Sequence, residues 1–110
     1  MTTLLVTEKM QEALGVVSDC AQTCEACAQR CMNDPSMLDC ARICLDCVTV
    51  CDALTVLLAR ESSSYRLLSG VCADICDACA TECEKFDVYH CRICAQACRR
   101  CAEECRSLAA

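Results

Sequence analysis

Seventeen of the 110 residues are cysteine, and they fall into four clusters. The first holds Cys20, Cys24, Cys27 and Cys31, and the second Cys40, Cys44, Cys47 and Cys51. The third holds Cys72, Cys76, Cys79 and Cys83, and the fourth Cys91, Cys94, Cys98, Cys101 and Cys105. A cysteine acts as a nucleophile, as half of a disulfide or, as thiolate, as a soft metal ligand. Nucleophilic catalysis finds no support, because the chain offers no nucleophile–base pair, no phosphate-binding loop and no paired carboxylates. It is not expected to be an enzyme. Disulfides fit poorly as well. The count is odd, and an i,i+4 bridge would close a loop that a helix already orders, adding little. Small apolar core duty would explain one or two cysteines, whereas Ala, Val or Leu would do the work of seventeen without the risk of oxidation. Metal ligation is the chemistry that remains.

The spacing dictates the elements. Three clusters read C-x3-C-x2-C-x3-C, as CAQTCEACAQRC, CARICLDCVTVC and CADICDACATEC, and the fourth, CRICAQACRRCAEEC, has the same alternation in shifted phase. Four-three-four spacing is the a/d repeat of a helix. At 100° per residue, each four-cysteine cluster falls within about 60° of arc, a stripe roughly 16 Å long. Asn33-Asp34-Pro35-Ser36, Glu61-Ser62-Ser63-Ser64 and Lys85–Tyr89 are the breaks. Asp34, a serine of the second break and Asp87 are the candidate N-caps, with Pro35 at a first helical position. The expected helices are 5–32, 35–60, 64–85 and 88–107. Short connections favour antiparallel neighbours. The expectation is therefore an all-α chain, one domain over 1–110, folded as an antiparallel up-down-up-down four-helix bundle with a cysteine-lined core.

The heptads also polarise the bundle. Val6, Met10, Ala13 and Val17 precede Cys20 on its stripe, Leu54 and Leu58 follow Cys51, Tyr65 and Ser69 precede Cys72, and Leu108 follows Cys105. All four segments meet at one end, which reads as an ordinary apolar plug. The other end gathers Cys31, Met37, Cys40, Cys83, Phe86, His90 and Cys91, with Met32 close by. Met10 and Met32 read as packing residues. Arg99, Arg100 and the acidic residues read as solvated faces or subunit contacts.

Composition agrees with this picture. Two Gly, one Pro, three aromatics and no Trp exclude a loop-rich disulfide scaffold and a β-sandwich. A net charge of −6 disfavours nucleic acid and acidic membrane surfaces as partners. No apolar run approaches the ~18 residues of a span, and the N-terminus lacks a secretory pattern. The expected location is the cytoplasm, where thiols stay reduced.

Soft thiolates select Cu(I), Zn(II) or iron–sulfur clusters. Zinc prefers isolated closed tetrahedra, which need no continuous ladder. Cluster ligation uses runs such as CxxCxxC, which are absent. Cu(I) accepts two or three thiolates and lets each sulfur bridge. About one Cu(I) per thiolate neutralises the array, on the order of 15–20 ions per chain. Charge alone leaves zinc, and with it a zinc reservoir or an iron–sulfur electron-transfer bundle, as alternatives.

Over about residues 5–108 the chain resembles the bacterial four-helix-bundle copper storage proteins of the cytosolic branch, on the repeated CxxxCxxC core and on HCRICAQACRRCAEEC at 90–105. The resemblance implies a homotetramer of bundles that holds many Cu(I) ions on cysteine thiolates. It further implies copper uptake through one open end lined by His or Met, where His90 and Met37 fit by position, and exchange with copper donor or acceptor proteins. A single histidine is fewer than that family leads one to expect.

Overall fold

The computed structural model describes residues 5–110. Residues 1–4, the first of those read for a secretory leader, lie outside them. Four helices follow in order: α1 (Glu8–Cys31), α2 (Leu38–Ala59), α3 (Tyr65–Cys83) and α4 (Tyr89–Ala109), with a 3-10 turn at Pro35–Met37 before α2. The described residues contain no strand. The helices close a ring in which α1 packs on α2 and α4, and α3 packs on α2 and α4. Sulfur pairings fix the directions. Cys40 meets Cys83 while Cys51 meets Cys72, so α2 and α3 run antiparallel. Cys20 groups with Cys101 and Cys31 with Cys91, so α1 and α4 do too. The bundle is up-down-up-down, 43 Å along its longest axis, and no described helix is long and apolar enough to cross a membrane.

The boundaries have local causes. Thr7 caps α1, its hydroxyl accepting from the Met10 N–H at 3.2 Å, so the helix starts three residues later than the periodicity suggests. Asp34 caps as expected: its carboxylate accepts from the Ser36 N–H at 2.9 Å and the Ser36 hydroxyl at 2.8 Å. These bonds hold its pKa below the ordinary carboxylate value. Pro35 then opens a 3-10 turn rather than α2 itself. At the end of α2, Ser62 N–H donates to the Leu57 carbonyl and Glu61 N–H to that of Leu58, the paired bonds of a Schellman stop. That stop places Glu61 at φ 50°, where glycine usually sits. Of the other two expected caps, a serine holds its position without a capping bond and the aspartate is displaced. Ser64 is the N-cap residue of α3 but makes no side-chain capping bond, and Val88, not Asp87, occupies the N-cap of α4. Asp87 instead pairs with Arg92 at 2.6 Å.

The plug is as the heptads place it. Met10, Ala13, Val17, Leu54, Leu58 and Leu108 are buried, with Val6, Tyr65 and Leu68 packed against them. Ser69, buried among them, is satisfied by donating to the Tyr65 carbonyl at 2.6 Å. Met32, expected to pack, is exposed. One structural class was not legible as such. Seven alanines that directly follow a cysteine (Ala21, Ala28, Ala41, Ala73, Ala80, Ala95 and Ala102) are all buried. They sit beside the sulfur stripe, where a small side chain lets neighbouring helices approach closely enough for their sulfurs to meet. Arg99, read as part of a solvated face or a subunit contact, ties α4 to α3 through Asp77 at 2.9 Å and Glu84 at 2.7 Å, and Arg106 reaches Asp77 as well.

Candidate metal centre

All seventeen cysteines are buried free thiols. Their sulfurs run as a continuous column from the His90 end to the plug. Around the middle, Cys24 lies 3.4 Å from Cys98 and 3.7 Å from Cys94, and Cys44 lies 3.7 Å from Cys79 and 3.8 Å from Cys94. Towards the plug, Cys47 is 3.6 Å from Cys76 and 3.9 Å from both Cys20 and Cys51. Cys51 then meets Cys72 at 3.8 Å and Cys101 meets Cys105 at 3.9 Å. At the other end Cys40 is 3.5 Å from Cys83. His90 joins this end through Nδ1, 3.5 Å from Cys27 and from Cys91 and 3.9 Å from Cys31. Met37 is buried in the 3-10 turn beside α2.

These separations match the chemistry of a small soft ion. A d10 ion with bonds of about 2.3 Å to sulfur spans sulfurs about 3.8 Å apart in a tetrahedron and about 4 Å apart in a trigonal plane. Groups of ligand atoms that all lie within 4.8 Å of one another include Cys20/Cys24/Cys47/Cys98, Cys20/Cys51/Cys76/Cys101, Cys24/Cys79/Cys94/Cys98, Cys27/Cys40/Cys44/Cys83 and Cys27/Cys31/His90/Cys91. Cys20, Cys24, Cys27 and Cys98 each stand in two of them. Shared sulfurs make a bridged lattice, which suits Cu(I), rather than a set of isolated closed sites. They also answer the iron–sulfur alternative: sulfurs 3.4–4.0 Å apart leave room for single ions between them, not for clusters carrying their own sulfide.

Electrostatics sets the resting state of the column. A buried thiolate without a counter-ion is costly. Burial first, and then the neighbouring Cys83 sulfur, push the Cys40 thiol above its ordinary value. Burial and the adjacent Cys31 sulfur push Cys91 up to about 11. Cys40 and Cys91 are thus neutral thiols at neutral pH, and a metal ion takes the place of their protons.

A reduced, shared-thiol column enclosed by four antiparallel helices defines a metal-storage bundle. The chain belongs to the copper storage protein family, whose model matches residues 6–110. Cu(I)-bound copper storage protein BsCsp3, the Csp3 of Bacillus subtilis, superposes with a TM-score of 0.89 at 34% identity, over 94% of this chain and 100% of that one. A cytosolic copper storage protein from Streptomyces lividans, solved during copper loading with five coppers, superposes at 0.85 with 36% identity over 93% and 92% of the two chains. The uncharacterized cysteine-rich protein YhjQ of Bacillus subtilis is 38% identical over 95 residues, 84% of this chain and 88% of that protein.

Proposed function

We propose that this protein stores and buffers Cu(I) in the cytosol, holding on the order of 15–20 ions per chain on its thiolates. The sharing of Cys20, Cys24, Cys27 and Cys98 between ligand groups is the observation that carries this reading, because bridging sulfurs let the number of ions approach the number of thiols. All seventeen cysteines act as ligands. His90 adds the one nitrogen donor, and Met37 adds a soft thioether at its end of the column. The protein binds its cargo without transforming it, so its role is storage and not catalysis. Copper bound by the solved relatives and the cytosolic description of one of them support the reading, and four bundles are expected to associate as the family resemblance implies. The test is an anaerobic titration of the reduced protein with Cu(I) against a strong Cu(I) chelator. Retention of ten or more colourless ions per chain, roughly 0.6 per thiol, is expected. Saturation at four or fewer, or a brown iron-containing isolate, overturns it.

A further inference from the structure

One ligand group differs in kind from the all-thiol ones. Cys27, Cys31, His90 and Cys91 bring three sulfurs and one imidazole nitrogen within 4.8 Å of one another. Cys27 and Cys31 stand one turn apart at the end of α1, and His90 and Cys91 are neighbours in the first turn of α4. His90 Nδ1 lies 3.5 Å from the Cys27 sulfur, 3.5 Å from that of Cys91 and 3.9 Å from that of Cys31, and the Cys27 and Cys31 sulfurs are 3.8 Å apart. A tetrahedral zinc ion has bonds of about 2.3 Å to sulfur and about 2.0–2.1 Å to nitrogen. Its ligands then sit about 3.6 Å apart where nitrogen faces sulfur and about 3.8 Å apart where sulfur faces sulfur. The four separations match a closed tetrahedron of three cysteines and one histidine, a donor set of structural zinc sites. Cu(I), satisfied by two or three thiolates, leaves a donor over in such a group.

Charge points the same way. Zn(II) with three thiolates and a neutral imidazole carries a single net negative charge, and with four thiolates it carries two. The four-thiol groups lie in the buried core, and no basic side chain is buried among the described residues. Nothing there offsets the second charge, which a dry interior penalises. At the His90 end a hollow of ≈ 210 Å³ between α1 and α4 reaches Cys27 and His90, and Arg30 stands in its wall. Its exposed guanidinium and the solvent in the hollow offset the one charge that remains. We propose that the copper-free protein binds one Zn(II) per chain at Cys27, Cys31, His90 and Cys91, a site distinct in donor set and in ion from the Cu(I) column. Zn(II) bonds to the three sulfurs and to Nδ1, the three thiol protons pass to solvent, and no electron moves. The bound ion ties the end of α1 to the start of α4. The site stands whether or not the remaining thiols store copper.

The test adds Zn(II) anaerobically to the reduced, copper-free protein in competition with a colorimetric zinc chelator, and repeats the titration with Co(II) as a spectroscopic probe. One zinc per chain is expected to stay on the protein and to raise its Tm, as any ion that binds the folded state does. Co(II) is expected to saturate at one ion per chain with the intense d–d absorption of a tetrahedral site and with thiolate-to-metal charge transfer. His90→Ala and Cys31→Ala each remove one donor, from opposite helices, so each checks the other if one perturbs folding. Both are expected to weaken zinc binding roughly 100-fold or more, since loss of an outer-shell partner alone costs about 10–100-fold. No zinc retained by the parent protein, tight binding of several zinc ions per chain, or parental affinity in both variants overturns the assignment.

Discussion

A single sulfur's weight in this column depends on how many ligand groups it serves. Cys24 stands in at least two and touches Cys20, Cys94 and Cys98, whereas Cys105, at the plug end, meets Cys101 at 3.9 Å. Cys24→Ala is expected to lower the copper count by about two ions or more and Cys105→Ala by about one, since a bridging thiolate neutralises and links neighbouring ions. Metal analysis of the loaded variants checks this, and equal losses would show that sulfurs are not shared. The neutral resting thiols have a consequence for pH. With Cys91 held up to about 11, its proton is still bound at neutral pH and must leave when copper arrives. Copper affinity therefore rises with pH and weakens towards acid, and it stops rising only once pH passes the raised thiol value. Titration in unbuffered solution is expected to release about one proton per thiolate formed. The same shift gives Cys91 a contribution to the stability of the metal-free protein that is present in full below the ordinary thiol value of 9.0 and lost as pH climbs through about 11.

The helices were largely legible because the cysteines themselves carry the heptad. A residue that must face the axis and recurs at four-three-four spacing leaves one face of the helix for the interior. What the sequence hid was the lateral packing. Alanine serves equally on a solvated face and in a tight interhelical contact, so the burial of Ala28, Ala80 or Ala102 follows only from the register between helices. Caps were hidden for a similar reason. Asp87 is a good N-cap by type, yet its carboxylate is engaged by Arg92 and Val88 takes the position. The alanine contacts make a prediction of their own. Ala80 is fully buried on α3. Ala80→Leu is expected to cost about 1–3 kcal/mol by overpacking. Chemical denaturation of the empty protein should show it, and separating the helices should also reduce copper capacity. Ala97, outside the buried set, serves as the control, and Ala97→Leu should leave both quantities near parental values.

At the scale of the whole molecule, two ends with different chemistry follow from one topology. Antiparallel order brings the four apolar extensions together as a plug and places the connections before α2 and α4 at the far end, where Met37, Phe86 and Val88 pack against the core. The sequence places His90 and Met37 at that end but does not tell how the connections pack there, because that depends on contacts between segments about fifty residues apart. The sharing of sulfurs was likewise invisible, since it needs the axial stagger of four helices and not the spacing within one. That sharing is the centre of the functional account, and X-ray absorption at the copper edge of the fully loaded protein tests it most directly. The account predicts Cu(I) surrounded by sulfur together with a short copper–copper distance from bridging thiolates. Copper–sulfur scattering without any short copper–copper distance would mean isolated sites and would contradict it.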